Sequence, residues 1–161
     1  MLLLLVRHAD AGDRDPAQWP DDTLRPLTEK GRKVHAKVTK MLRDTGLVPE
    51  VVLTSPWLRA AQTAEIMTQG LGLAPPVPCP PLAADPDLQA LNAVVGSRKG
   101  KAAVALVGHS PWIEELAAML LTGSAKGMAM DFAKSGVMAL EANGVSAGVG
   151  ILRFFVRPKM L

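Results

Sequence analysis

Three short signals stand at the ends of three apolar runs: Arg7-His8 after residues 2–6, Arg59 just after residues 51–55, and Gly108-His109 after residues 102–107. If these runs are parallel strands of one sheet, two histidines and two arginines converge beyond their carboxyl ends. Such a set suits a phosphoryl group, because guanidinium forks match phosphate oxygens and a neutral imidazole has a lone pair that can attack phosphorus. The reading is therefore an enzyme. Two histidines beside two arginines, with no clustered carboxylate, make a poor metal site, and neither a metal nor an organic cofactor is expected.

The elements that must position these residues follow a βα rhythm, which predicts a mostly parallel sheet covered on both faces. A polar loop rich in Asp and Pro, residues 9–26, follows the first strand. Thr28 caps a helix with Val34, Val38, Met41 and Leu42 on its apolar face, and Gly46 closes it. Residues 51–54 form the next strand, and Ser55-Pro56 opens a second helix by a hydroxyl cap followed by proline. The proline-rich residues 72–86 are expected to hold no regular element. A short helix is expected over 87–95 and a third buried strand over 102–107. Ser110-Pro111 opens a further helix bearing Ile113, Leu116, Ala117 and Leu120 at helical spacing. Residues 136–140 and 149–156 read as an antiparallel hairpin at the sheet edge, turning at Glu141-Ala142-Asn143-Gly144. In such a sheet, ligands bind beyond the carboxyl ends of the strands, where His8, Arg59 and His109 fall.

Bulk properties set the outer limits. The chain has 161 residues, 48% hydrophobic and 20% charged, with 18 basic against 15 acidic side chains. It reads as one domain, 1–161, large enough to bury roughly 70% of its unfolded surface. A net charge of +3, with the basic residues scattered, mildly favours anionic substrates and is no nucleic-acid footprint. Cys79 is the only cysteine, which excludes an internal disulfide and a thiolate metal cage. The apolar run at 2–6 is too short for a signal peptide core, and no run approaches ~18 residues, so a cytoplasmic protein with no membrane partner is expected.

The segment Ser55-Pro56-Trp57-Leu58-Arg59-Ala60-Ala61-Gln62-Thr63-Ala64, taken with Arg7-His8 and Gly108-His109, resembles the signature of the histidine phosphatase superfamily, the phosphoglycerate mutase-like fold. Arg25-Pro26-Leu27-Thr28-Glu29-Lys30-Gly31 is similar to a further stretch of that family, and the resemblance runs from residue 1 to about 140. The short chain, with no inserted cap, looks most like the SixA-type phosphohistidine phosphatases. The resemblance implies a three-layer α/β/α sandwich, mostly parallel with an antiparallel edge strand. It implies His8 as the nucleophile that becomes phosphorylated, with Arg7, Arg59 and a protonated His109 binding the phosphoryl oxygens. A histidine-phosphorylated protein is the implied partner, and a small phosphorylated molecule the alternative.

Two positions depart from the family pattern. Ala9 replaces the glycine of Arg-His-Gly, which is tolerable where its φ is negative. Many relatives also carry a glutamate acid after the second helix, where this chain reads Cys79-Pro80-Pro81-Leu82-Ala83-Ala84-Asp85. Asp85, Asp10 and Asp13 are the remaining candidates for a proton donor, and solvated or capping roles are the bland reading of each. Without an acid an alkoxide leaves badly, whereas an imidazole takes its proton from solvent; the pattern thus tilts towards phosphohistidine over phosphoesters. A small-molecule phosphomonoesterase and an inactive phosphoprotein-binding module are the competing readings. Arg25 could reach the phosphate or pair with a loop aspartate. His35, on a lysine-rich helix, is expected at the surface, Trp57 and Trp112 as packing or as the rim of the entrance, and the methionines as core filling.

Overall fold

The computed structural model describes residues 1–97 and 102–161. Six strands form one sheet: β1 (Leu2–Arg7), β2 (Val51–Thr54), β3 (Val77–Pro78), β4 (Ala103–Gly108), β5 (Val137–Glu141) and β6 (Ile151–Val156), in the order β3-β2-β4-β1-β5-β6. The pairs β1–β4, β2–β4 and β2–β3 are parallel, while β5 runs antiparallel to both β1 and β6. The helices α1 (Glu29–Asp44), α2 (Leu58–Leu71), α3 (Leu88–Gly96) and α4 (Trp112–Thr122) complete the α/β fold.

Side chains alternate across a strand, so each central strand supplies two cores. Leu3, Leu5, Val104 and Leu106 pack with Leu91 and Val95 of α3 and Ile113, Leu116 and Leu120 of α4. Leu4, Val6, Ala105 and Val107 pack on the opposite face with Val38 and Leu42 of α1 and Ala60, Ala64 and Met67 of α2. Both faces being covered explains why β1 and β4 read as unbroken apolar runs rather than alternating ones.

Register places the strand ends side by side. Arg7 pairs with Gly108, the His8 amide donates to the Gly108 carbonyl at 3.0 Å, and the Ser55 amide donates to the Val107 carbonyl at 2.9 Å. His8, Ser55 and His109 therefore stand in one row at the carboxyl edge of three neighbouring strands. The loop after His8 is tied down where α1 begins: the Thr28 amide donates to the Asp10 carbonyl at 2.9 Å, and Thr28 Oγ1 caps the helix by accepting from Gly31 N–H at 3.0 Å. A Cβ on Gly31 would lie 2.2 Å from the Asp10 carbonyl oxygen, so this close approach requires glycine.

Four local expectations are corrected. Residues 72–86 do hold regular structure: β3 pairs with β2, and a 3-10 turn spans Pro80–Ala83. Pro78 is compatible with an edge strand because its missing N–H faces away from the ladder. The β5–β6 connection is a loop over 142–150 rather than a tight turn at 141–144, and β6 begins at Ile151. Neither Ser-Pro pair caps a helix with its hydroxyl: α2 starts at Leu58 after Trp57, and α4 starts at Trp112 after Pro111. Finally, His35 is fully buried. The inner stripe of α1 runs Gly31, His35, Val38, Thr39 and Leu42, rotated about one position from the stripe through Val34 and Met41, which are half-buried.

His35 carries a consequence for stability. Neither ring nitrogen has a hydrogen-bond partner among the described residues, and burial lowers its pKa from 6.5 to about 4. The folded state thus refuses a proton that the unfolded chain accepts below pH 6.5, and stability falls as pH drops from 6.5 towards 4, by about 3 kcal/mol at completion. Replacing His35 with leucine removes this dependence. In urea unfolding, the gain of His35→Leu over wild type should be about 2 kcal/mol larger at pH 5 than at pH 7; an equal gain at both values would contradict the buried neutral ring.

Candidate active site

His8 follows directly on β1 and is 8% exposed. Its Nδ1 lies 2.6 Å from the Ala9 carbonyl oxygen. A carbonyl only accepts, so Nδ1 carries the proton and Nε2 keeps its lone pair. Burial, reinforced by Arg59, Arg7 and Arg25 and opposed by the Ala9 hydrogen bond, lowers the His8 pKa to about 3. The ring is therefore neutral at pH 7 with its basic nitrogen free. The backbone around it is held on both sides. The Ala9 amide donates to Thr63 Oγ1 of α2 at 3.0 Å, and the Ser135 amide donates to the Arg7 and His8 carbonyls at 3.1 and 3.2 Å. Among the described residues, Ser135 is the one non-glycine with positive φ, +60°; Ala9 keeps a negative φ, which removes the objection to its methyl group.

His109 follows β4, with its ring centroid 5.1 Å from that of His8. Its Nε2 is 2.8 Å from Ser55 Oγ, and Ser55 Oγ also accepts the Trp57 amide at 3.3 Å. A hydroxyl that accepts from Trp57 is placed to donate to Nε2, which puts the ring proton on Nδ1. That Nδ1 is buried and has no partner among the described residues. Burial, then His8 and Arg59, lower the His109 pKa to about 3. Desolvation outweighs the nearby arginines as the cause.

Two guanidinium groups present the same feature. Arg7 donates from one terminal nitrogen to the Phe132 carbonyl at 2.7 Å. Arg59 donates to the Asp22 carbonyl at 2.8 Å and pairs with the Asp22 carboxylate at 3.2 Å. In both, Nε is buried without a partner among the described residues. Three buried donors thus stand unpaired in the neighbourhood of the His8 ring, and leaving such groups unpaired is costly unless a ligand completes them.

Arg25 takes the second of its two anticipated roles. It pairs with the Asp22 carboxylate at 2.8 Å and donates to the Ala11 and Gly12 carbonyls at 3.1 and 2.6 Å. Asp22, which sequence reasoning passed over, thus bridges Arg25 and Arg59. Arg25 beside it holds its carboxyl below the usual carboxylate range. Its spacing of three from Arg25 was readable, but the contact with Arg59 spans 37 residues and has no local signal. None of the three candidate proton donors is hydrogen-bonded to a histidine among the described residues. Asp85 and Asp13 are exposed. Asp10 is bound by Lys134 at 2.5 Å and by Thr28 at 3.1 Å, and Lys134 lowers its pKa. Among the described residues no group of three or more His, Cys, Asp or Glu is placed to hold a metal ion, and no helix is long and apolar enough to cross a membrane.

Comparison with known proteins gives this geometry a context. A family model for the histidine phosphatase superfamily (branch 1) matches residues 3–85. An uncharacterised protein of Picosynechococcus sp. is 37% identical over 145 residues, covering 88% of this chain and 86% of that one. Among solved structures, the protein histidine phosphatase SixA complexed with tungstate superposes with a TM-score of 0.82 at 26% identity, over 99% of both chains. A mutant phosphoserine phosphatase from Entamoeba histolytica, in complex with phosphoserine, superposes with a TM-score of 0.74 over 99% of this chain and 98% of that one. At 15% identity the latter is a likeness of fold alone.

Proposed function

Given that the chain belongs to the histidine phosphatase superfamily (branch 1), we propose that it hydrolyses phosphohistidine on a protein through a phosphoenzyme intermediate on His8. The observation that carries the reading is the set of buried, unpartnered donors, Arg7 Nε, Arg59 Nε and His109 Nδ1, around an imidazole whose Nδ1 is already committed to a carbonyl. Such a set offers three hydrogen bonds to a phosphoryl group and one lone pair to its phosphorus.

In the first step His8 Nε2 attacks phosphorus and the bond from phosphorus to the substrate's ring nitrogen breaks. The electron pair leaves on that nitrogen, which takes a proton from solvent. In the second step water attacks the phosphorus of phosphorylated His8, the new P–N bond breaks, and its electron pair returns to Nε2. The products are inorganic phosphate and a proton. Arg7, Arg59 and His109 offset the charge that builds on the phosphoryl oxygens. The bound dianion raises the His109 pKa, and Nδ1–H is a donor in either protonation state.

The choice of leaving group rests on the carboxylates. Asp10 and Asp22 are both held ionised by basic partners, and Asp85 faces solvent. Asp10 and Asp22, held ionised, have no proton ready for an alkoxide, whereas an imidazole protonates from water. The likeness to the protein histidine phosphatase SixA supports the same choice. The test is phosphate release from a histidine-phosphorylated carrier domain, p-nitrophenyl phosphate and 3-phosphoglycerate in parallel. Turnover chiefly of the carrier is expected. Equal or faster turnover of the esters would replace this reading with a small-molecule phosphatase, and release from none would favour a phosphoprotein-binding module.

A further inference from the structure

One wall of the candidate site has no part in holding phosphate. The Trp57 ring centroid lies 4.6 Å from that of His109, the Trp112 centroid lies 6.0 Å from it, and the two indoles meet edge to face at 5.7 Å. The Arg59 guanidinium carbon sits 4.7 Å over the Trp57 ring. Both indoles are half-buried, and among the described residues neither belongs to a buried apolar cluster, although Trp112 borders Leu82, Ile113 and Leu116 of one of them. A tryptophan kept only for stability belongs in a core, where its large apolar area is removed from water. These two are instead attached to the phosphate-binding side chains.

Their placement follows from the strand ends. Trp57 comes two residues after Ser55 at the end of β2, and Trp112 three residues after His109 at the end of β4, each behind a proline. The same edge that aligns Ser55 and His109 therefore brings the two indoles together beside His109. Trp112 and His109 also border a narrow crevice whose floor is the core residues Leu82, Leu91, Ile113 and Leu116.

We propose that Trp57 and Trp112 form a leaving-group shelf that selects phosphoryl compounds whose leaving group is a flat aromatic ring, the imidazole of phosphohistidine in a protein substrate. The inference rests on the phosphatase reading above and adds to it the residues that discriminate. The wall offers stacking surface and apolar contact, and its polar groups are the two indole N–H donors, too few to satisfy both the hydroxyl and the carboxylate of a small alkyl phosphate. A substrate carrying those groups would leave part of them unpaired on the shelf, whereas a ring stacks on the indoles.

The test uses two phosphonates, phenylphosphonate and methylphosphonate, whose P–C bonds are not hydrolysed, so that binding is read without turnover. Calorimetry on the wild-type protein should give about tenfold tighter binding of the phenyl compound, from ring stacking and buried area together. In Trp57→Leu/Trp112→Leu the preference should fall to about twofold or less, while Trp57→Phe/Trp112→Phe, which keeps two rings, should retain most of it. No phenyl preference in the wild type, or an undiminished preference in the leucine double variant, overturns the shelf and leaves the phosphatase reading standing. Failure of the wild type to bind both phosphonates and inorganic phosphate overturns the phosphatase reading, and the shelf with it.

Discussion

His8→Ala is expected to lower phosphate release by at least about a thousandfold on every substrate the wild type turns over. The effect is that large because the substitution removes the atom that forms a bond to phosphorus, and no second nucleophile stands in the row. His109 is 5.1 Å away between ring centroids, but its Nε2 is committed to Ser55. The fold should tolerate the change: the one hydrogen bond lost is from His8 Nδ1 to the neighbouring Ala9 carbonyl, and the site's positive side chains no longer crowd a ring. The thermal midpoint should therefore move little. Inorganic phosphate should still bind, because Arg7, Arg59 and His109 remain. An inactive variant that is folded and binds phosphate assigns the loss to chemistry; one that releases phosphate at wild-type rates removes His8 from the mechanism.

Arg59→Ala is the second large effect, a fall in kcat/KM of about 10²–10³-fold, the usual consequence of deleting one preorganised donor to a developing oxyanion. Arg59 is 5% exposed and does two things at once. Its terminal nitrogens hold the Asp22 carbonyl and carboxylate, and its Nε is left without a partner. Lysine cannot replace it. An ammonium is a single point of charge on a flexible stem, so it cannot grip Asp22 and also offer a fixed N–H to phosphate. Arg59→Lys should recover no more than about tenfold of the loss. Full recovery would mean that bulk positive charge, rather than the shape of the guanidinium fork, is what the site requires.

Much of this arrangement was legible from the residues. The runs leading to His8, to Ser55 and to His109 are continuous and apolar because their strands are buried on both faces, and that signal survives without any neighbour's help. Positions at the ends of such strands are the ones a parallel sheet delivers to its ligand edge. What could not be read depended on contacts distant in sequence. Asp22 is one of several aspartates in its loop, and nothing local marks it as the partner of Arg59. His35 was misplaced because lysines at 33, 37 and 40 suggest an exposed helix, although the buried stripe through positions 31, 35, 38 and 42 has regular helical spacing. Residues 77–78 pair as a strand because β2 offers them an open edge, a tertiary fact that their proline content conceals. The two tryptophans were visible as residues, but their meeting beside His109 was not.

The most direct test of the central claim is to trap the phosphoenzyme. Wild-type protein is mixed with a histidine-phosphorylated carrier, quenched within the first turnover in alkali, where phosphohistidine survives, and digested for mass spectrometry. The account predicts one phosphorylated peptide, modified at Nε2 of His8, that appears before free phosphate and decays as phosphate accumulates. A label on any other residue, or full turnover with His8 unmodified throughout, would contradict it.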